Sequence, residues 1–282
     1  MLPGESIAAV VEAEPAGLPE RDAITLRRVR RVSADAVADA DDALAVERWL
    51  RITLNGREIA ALMVSPGHEE ELGAGFALTQ GFVRARRDLL SVTVREDPEK
   101  GPAVRIVVPV GLSLALADRI TARASCGGTI HADDDLPVLP AQGPVVAAAR
   151  LREMSRAMVA AQGIYRRTGG THGAGIFTAD AELVVVREDV GRHNAADKAI
   201  GHCLLADLGL DDKVLVVSGR VSREIAAKAV RAGVPILASL SAPTDAGVDA
   251  AERCGLTVVG FLRGRRMNIC THPQRIDVGG DT

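Results

Sequence analysis

Apolar and polar residues alternate one by one along "WLRITLNGREIAALMVSP" (residues 49–66), with Asn55-Gly56 in the middle. Alternation of period two predicts strands, and an Asn-Gly pair supplies the two positive-φ positions of a tight hairpin turn. "HEEELGAGFALTQGFV" follows, with acidic residues where a helix begins, and predicts a short helix. "SVTVRED" and "AVRIVVPV" return to alternation and predict two more strands. After residue 140 the pattern changes. "GPVVAAARLREMSRAMVAAQGIY" has helical spacing throughout. Beyond it, the short apolar runs "ELVVVRED", "KVLVVSGR", "VPILASLSAP" and "LTVVGFLRG" are separated by "NAADKAIGHCLLADLG", "SREIAAKAVRAG" and "TDAGVDAAERCG". The last two of these helical stretches end on a glycine suited to a helix C-terminus.

Strands alternating with helices predict an α/β domain with a mostly parallel sheet covered on both faces. The expected organisation is a loose tail over residues 1–22, a small α+β domain over 23–140, and an α/β domain over 141–282. The tail is rich in Pro, Ala, Gly and Glu and lacks a basic stretch, so it does not read as a signal peptide.

Composition narrows the function classes. Aromatic residues make up 2% of the 282, too few for a platform that stacks bases, and the net charge of -3 provides no global field for nucleic acid or an anionic membrane. "RRVRR" (Arg27 to Arg31) reads better as a solvated strand face than as a nucleic-acid patch. The longest nearly apolar run, "IVVPVGLSLALA" (residues 106–117), is too short to span a bilayer. The expected location is the cytoplasm, where the four scattered cysteines, Cys126, Cys203, Cys254 and Cys270, are free thiols. They lack the spacing of a zinc site, and no H-x-E with a downstream P-C-x-x-C marks a zinc deaminase, so no metal ligands are assigned.

In an open α/β sheet, ligands bind beyond the carboxyl ends of the strands. Those ends read "REDVGRHNAADK", "SGRVS", "SAPTD" and "GFLRGRRMN". Arg192, Arg220, Arg263, Arg265 and Arg266 lie in or beside them, and arginine forks match phosphate. As a group they point to one pocket for a phosphate-bearing ligand, with Ser218 and Gly219 in the same strand-end loop. His172, in "TGGTHGAGIF", and His193, in "GRHN", are either ligand contacts or members of structural polar networks.

Cys126 stands apart, in "RASCGGTIHADDD". Gly127 and Gly128 open the backbone around it, with Arg123 and His131 near in sequence to favour the thiolate. It reads either as an incidental thiol or as a reactive one. Cys203, Cys254 and Cys270 read as packing residues.

Together with "LNGREIAALMVSPGHEEELGAGF" and "RMNICTHPQRI", these strings resemble the formate dehydrogenase accessory protein family, FdhD, over roughly residues 45–276. The resemblance implies a cytidine-deaminase-like three-layer C-terminal domain beside the smaller N-terminal one, and a homodimer. It implies that sulfur passes from a cysteine desulfurase to the molybdenum cofactor, bis-molybdopterin guanine dinucleotide, for a molybdenum-dependent formate dehydrogenase. By position, Cys126 matches the cysteine that holds the persulfide. Phe261, Leu262, Arg263, Gly264, Arg265 and Arg266 match the loop that binds the cofactor. One departure stands out. The family usually shows CGxCG, and here Thr129 takes the place of the second cysteine. Direct delivery from Cys126, help from another cysteine such as Cys270, and cofactor binding without a covalent step are the readings this leaves.

Overall fold

The structure, a computed structural model, describes residues 22–112 and 136–279. Cys126 and most of the expected N-terminal tail lie outside the described residues.

The chain opens on a ribbon, β1 (Ile24–Val32) paired antiparallel with β2 (Val37–Ala45). "RRVRR" lies on β1, and the register sets Arg28 opposite Asp41 and Arg30 opposite Asp39. The ribbon is largely solvated, so pairs such as Arg30–Asp39 at 3.2 Å contribute at most about 1 kcal/mol each. The basic stretch therefore faces its own acidic neighbour strand.

The hairpin expected at Asn55-Gly56 is β3 (Arg48–Leu54) and β4 (Arg57–Val64), with φ of 46° at Asn55 and 84° at Gly56. With β5 (Ser91–Asp97) and β6 (Gly101–Val107) it forms a four-stranded sheet ordered β4-β3-β6-β5. Leu50, Ile52, Leu54, Val104 and Ile106 turn inward from this sheet. They meet α1 (Glu69–Thr79), whose Leu72, Ala74 and Ala77 are fully buried.

The long helix expected after residue 143 is interrupted. β7 (Val146–Ala147) precedes α2 (Ala148–Ala161), and α3 (Gly163–Thr168) follows after a break at Gln162. The Gln162 side chain is buried against Gly173, where a Cβ would come within 2.5 Å of it.

β8 (His172–Phe177), β9 (Leu183–Asp189), α4 (Arg192–Leu205), β10 (Val214–Val217), α5 (Arg223–Ala232), β11 (Ile236–Ser239), α6 (Asp245–Cys254), β12 (Thr257–Arg263) and β13 (Arg266–Ile269) build the second sheet, ordered β13-β12-β11-β10-β8-β9. A short β14 (Ile276–Asp277) pairs with β7. The expectation of a mostly parallel sheet is corrected here. Only the β10–β11 and β11–β12 pairings are parallel; β9, joined to β10 by α4, points the same way but is separated from it by β8, which is antiparallel to both. β8–β9 and β12–β13 are hairpins, and β10 lands antiparallel beside β8. Helices do cover both faces. Ala196, Ile200, Ile225 and Ala251 of α4, α5 and α6 pack on one, and Leu151, Met154 and Met158 of α2 on the other. Gly233 (φ 80°) and Gly255 (φ 72°) end α5 and α6 as the sequence predicts.

One apolar cluster joins side chains from both sides of residue 140, among them Leu50, Leu72, Ile200 and Leu215. Its hinge is the crossing of α1 and α4. A Cβ at Gly75 would stand 1.8 Å from the Asp197 carbonyl oxygen, and one at Gly201 would stand 1.8 Å from that of Glu71. Three ionic groups bridge the same seam. Arg187 Nε donates to Glu71 at 2.6 Å and His202 Nδ1 lies 2.9 Å from it. Lys228 pairs with Asp197 at 2.7 Å while Thr79 donates to Asp197 at 2.7 Å. Lys198 Nζ meets Asp189 at 2.8 Å and also donates to the Ser65 carbonyl at 2.8 Å.

Helix propensity alone favours Ala over Gly by about 1 kcal/mol. At Gly201 the overlap with backbone outweighs it, so Gly201→Ala should lower the unfolding free energy by about 2 kcal/mol or more in urea titration. Gly111→Ala, with open space around it, should stay within about 0.5 kcal/mol.

Burial alone would raise the Glu71 carboxyl, but Arg187, His202 and His68 outweigh it and hold the group well below the usual carboxylate range. A depressed carboxylate stabilises the fold above its unfolded value and loses that contribution as pH falls. Thermal melts from pH 6 down to pH 3 should therefore show a steeper stability loss for the unmodified protein than for Glu71→Gln.

Candidate functional site

The stretch "REDVGRHNAADK" divides by burial. Asp189, Asn194, Asp197 and Lys198 are buried, while Arg192 and His193 are partly exposed at the start of α4. Asp189 is the fixed point. It accepts from the Ser65 N–H at 3.0 Å, the Gly191 N–H at 2.9 Å and the Asn194 amide at 2.9 Å, besides its ion pair with Lys198. Asn194 also donates to the Met63 carbonyl at 2.8 Å. Breaking a buried pair of this kind costs about 3–5 kcal/mol. The network thus pins the end of β4 to the first turn of α4, and so fixes where Arg192 and His193 emerge. Glu188 is absorbed elsewhere: its carboxylate accepts from the Ile164 and Tyr165 N–H groups and fastens the start of α3.

Arg192, His172, Ser218 and Gly219 come together at one strand-end corner. Ser218 Oγ lies 3.1 Å from His172 Nδ1 and accepts from the Gly173 N–H at 3.0 Å. A Cβ on Gly219 would stand 3.0 Å from Arg192 Cβ and 3.5 Å from His172 Nδ1, so the glycine lets Arg192 and His172 approach the turn closely. Arg192 Nε and His193 Nε2 are both buried, and neither has a hydrogen-bond partner among the described residues. A buried donor or acceptor left unmatched costs about 1–3 kcal/mol, which a ligand group would recover.

Both histidines are held neutral at pH 7. Burial lowers His193 to about 4, with Lys228 and Arg192 adding to it and Glu224 opposing. Burial also lowers His172, assisted by Arg192 and opposed by Asp189. Arg192 is the fixed cation of this corner. Arg220 stands exposed beside it.

A relay of hydrogen bonds joins this corner to the end of β12. Ser239 Oγ donates to the Gly219 carbonyl at 2.6 Å and accepts from the Ser241 N–H at 2.9 Å; the Ser241 carbonyl accepts from the Phe261 N–H at 2.9 Å. Phe261 has φ of 53°, in the left-handed region, and strain of this kind persists where the surroundings enforce it. Its ring is partly exposed, with the Arg266 guanidinium 5.9 Å from its centroid. Leu262 is buried, Arg263 Nε donates to the Leu240 carbonyl at 2.5 Å, and Gly264 makes the turn into β13 at φ 56°.

The five arginines of the strand ends do not all enter one hollow. Arg265 and Arg266 line an open hollow of about 500 Å³ on the α2 side of the sheet, with Arg152 beside them and Met267, Ile269 and Val278 also lining it. Arg192, Arg220 and Arg263 are not in its lining.

Two contributors escaped the sequence reading. Ser239 is a fully buried hydroxyl in the apolar run "VPILASL", and a polar residue within such a run was the signal. Glu224, in the first turn of α5, is the carboxylate whose field reaches both His193 and Arg192. Among the cysteines, Cys203 and Cys254 are buried and burial pushes Cys203 to about 11. Cys270 is partly buried and packs against the main core. Cys126 lies outside the described residues.

Residues 45–277 match the FdhD/NarQ family model. Sulfur carrier protein FdhD of Streptomyces coelicolor is 40% identical over 271 residues, covering 89% of this chain and 94% of its own. The protein of the same name from Mycobacterium tuberculosis is 39% identical over 268 residues (89% and 97%), and that of Sulfolobus acidocaldarius 34% over 261 (89% and 100%). The fold also superposes with a TM-score of 0.75 on a crystal structure described as a formate dehydrogenase accessory protein, from Desulfotalea psychrophila. That protein is 26% identical, and the match covers 90% of this chain and 99% of the other. Similarity of this extent, reaching from the first sheet to the last strand, places the chain in the FdhD/NarQ family.

Proposed function

We propose that the protein is a sulfurtransferase serving formate dehydrogenase maturation. Cys126 takes sulfane sulfur from a cysteine desulfurase and passes it to the molybdenum cofactor, bis-molybdopterin guanine dinucleotide, held as cargo. The observation that carries this reading is the match to relatives named sulfur carriers over 89% of the chain. The strand-end corner supports it. A fixed Arg192, two orphaned buried nitrogens and a strained Phe261 beside Arg266 suit a ligand with phosphates at one end and a flat base at the other. The cofactor-binding set of this reading is His172, Arg192, His193, Ser218, Gly219 and Arg220 with Phe261 to Arg266. The reading includes a second copy of the chain as partner, a cytoplasmic setting, and a cytidine-deaminase-like layering of the six-stranded sheet between its helices.

The chemistry balances in two steps. The Cys126 thiolate attacks the sulfane sulfur of the donor's persulfide, forming a new S–S bond and releasing the donor thiolate. When the sulfur moves on, that S–S bond breaks, Cys126 returns as a thiol, and the accepting metal centre of the cargo supplies the two electrons that turn sulfane sulfur into sulfide. Thr129 offers no second thiol, so no loop disulfide closes in this route.

A second reading, a cofactor-binding chaperone with no covalent step, is favoured by that same threonine. The two separate on one variant. Cys126→Ala should abolish activation of formate dehydrogenase while nucleotide binding is retained, and mass spectrometry after incubation with desulfurase and cysteine should show one reductant-labile sulfur on the Cys126 peptide. Full activation by Cys126→Ala would establish the chaperone instead.

A further inference from the structure

The hydrogen bonds around Ser218 leave a specific vacancy for a proton. Ser218 Oγ already accepts from the Gly173 N–H. Among the described residues its own hydroxyl proton has one acceptor in range, His172 Nδ1 at 3.1 Å. With the Ser218 hydroxyl proton donated there, His172 is the tautomer with Nδ1 bare and the proton on Nε2. The groups whose charges reach the ring are Asp189 of β9, Arg192 and His193 of α4, and, beyond them, Glu224 of α5. Arg192 is the nearest cation, close enough that a Gly219 Cβ would touch its side chain and approach the His172 ring as well. Asp189 cannot answer it freely, because its oxygens are already committed to Lys198, Ser65, Gly191 and Asn194.

We infer that an anion entering beside Arg192 is bound together with one proton, which settles on His172 Nδ1 while the Ser218 hydroxyl turns from His172 to the anion. The proton comes from solvent. Nδ1–H then donates to the Ser218 oxygen, reversing that hydrogen bond, and the freed O–H becomes a donor to the ligand. Burial is the larger cause of the ring's neutrality, and the anion offsets it by cancelling the field of Arg192 and adding its own attraction for a proton. An arriving dianion thus gains a second cation and a hydroxyl donor, and a departing one sheds them. His172 and Ser218 act as a proton-linked gate on affinity. This deepens the reading of the crevice as an anion site, and would make a phosphate-bearing cargo bind tightly at lower pH and leave more readily as pH rises.

Sulfate is the right probe because it does not itself titrate between pH 5 and 9. With ¹⁵N-histidine protein at pH 7.5, the free state should show His172 Nδ1 unprotonated and Nε2 protonated. Saturating sulfate should convert both to the protonated type. Sulfate affinity should fall by up to about tenfold per pH unit above neutrality, as expected for uptake of one proton. His172→Asn should flatten that dependence, and Ser218→Ala should leave the fold intact and weaken sulfate about tenfold, the loss expected for a hydrogen bond to a charged group. Sulfate bound with Nδ1 still bare, or no sulfate binding at all, would overturn the inference. If sulfate behaves as described and guanosine diphosphate fails to displace it, the proton linkage stands and the nucleotide reading above fails.

Discussion

The close crossing of α1 and α4 is the constraint on which the rest of this molecule depends. Two glycines, Gly75 and Gly201, let backbone meet backbone where any side chain would collide with a carbonyl oxygen. That contact joins the four-stranded sheet to the six-stranded one and makes a single apolar cluster of their inner faces. It also brings ionic groups from distant parts of the chain into reach. Glu71 meets Arg187 and His202, Thr79 meets Asp197 and Lys228, and Ser65 meets Asp189 and Lys198. Asp189, Lys198, Asp197, Lys228 and Arg187 are buried with partners, and Glu71 and His202 partly so, which is the condition under which a charge is tolerated away from water.

The same seam explains how a site with unmatched polar atoms stays in place. Asp189, Asn194 and Lys198 satisfy one another and the backbone of residues 63–65, so the first turn of α4 is fixed from below. Arg192 and His193 then project from a rigid base with Nε and Nε2 unspent. The Ser239 relay does the same for the end of β12, tying Gly219 to Ser241 and so to the strained backbone at Phe261. Packing energy from the core holds these polar groups in place with Arg192 Nε and His193 Nε2 unmatched among the described residues.

Much of this was legible in the residues. The Asn55-Gly56 hairpin, the C-terminal glycines of α5 and α6, and the strand ends carrying Arg192, Ser218 and Phe261 all follow from local patterns that act over a few residues. The sheet direction did not, because β8–β9 and β12–β13 are antiparallel through hairpins whose apolar runs look like those of a parallel sheet. The division of "REDVGRHNAADK" into scaffold and site was equally hidden. Its polar residues are alike on paper, and only the partners brought by Met63, Ser65, Thr79 and Lys228, far away in sequence, decide which are spent internally. Arg265 and Arg266 sit near Arg263 in sequence, yet they line a hollow on the α2 side with Arg152.

The central claim is that one crevice, from His172 and Arg192 to Phe261, takes the phosphate-bearing ligand. A crystal structure of the protein with guanosine diphosphate tests it most directly. The account predicts the diphosphate between Arg192 and the Ser218–Gly219 turn, with the base toward Phe261. A nucleotide seated only in the hollow lined by Arg152, Arg265 and Arg266, leaving Arg192 Nε and His193 Nε2 without partners, would contradict it.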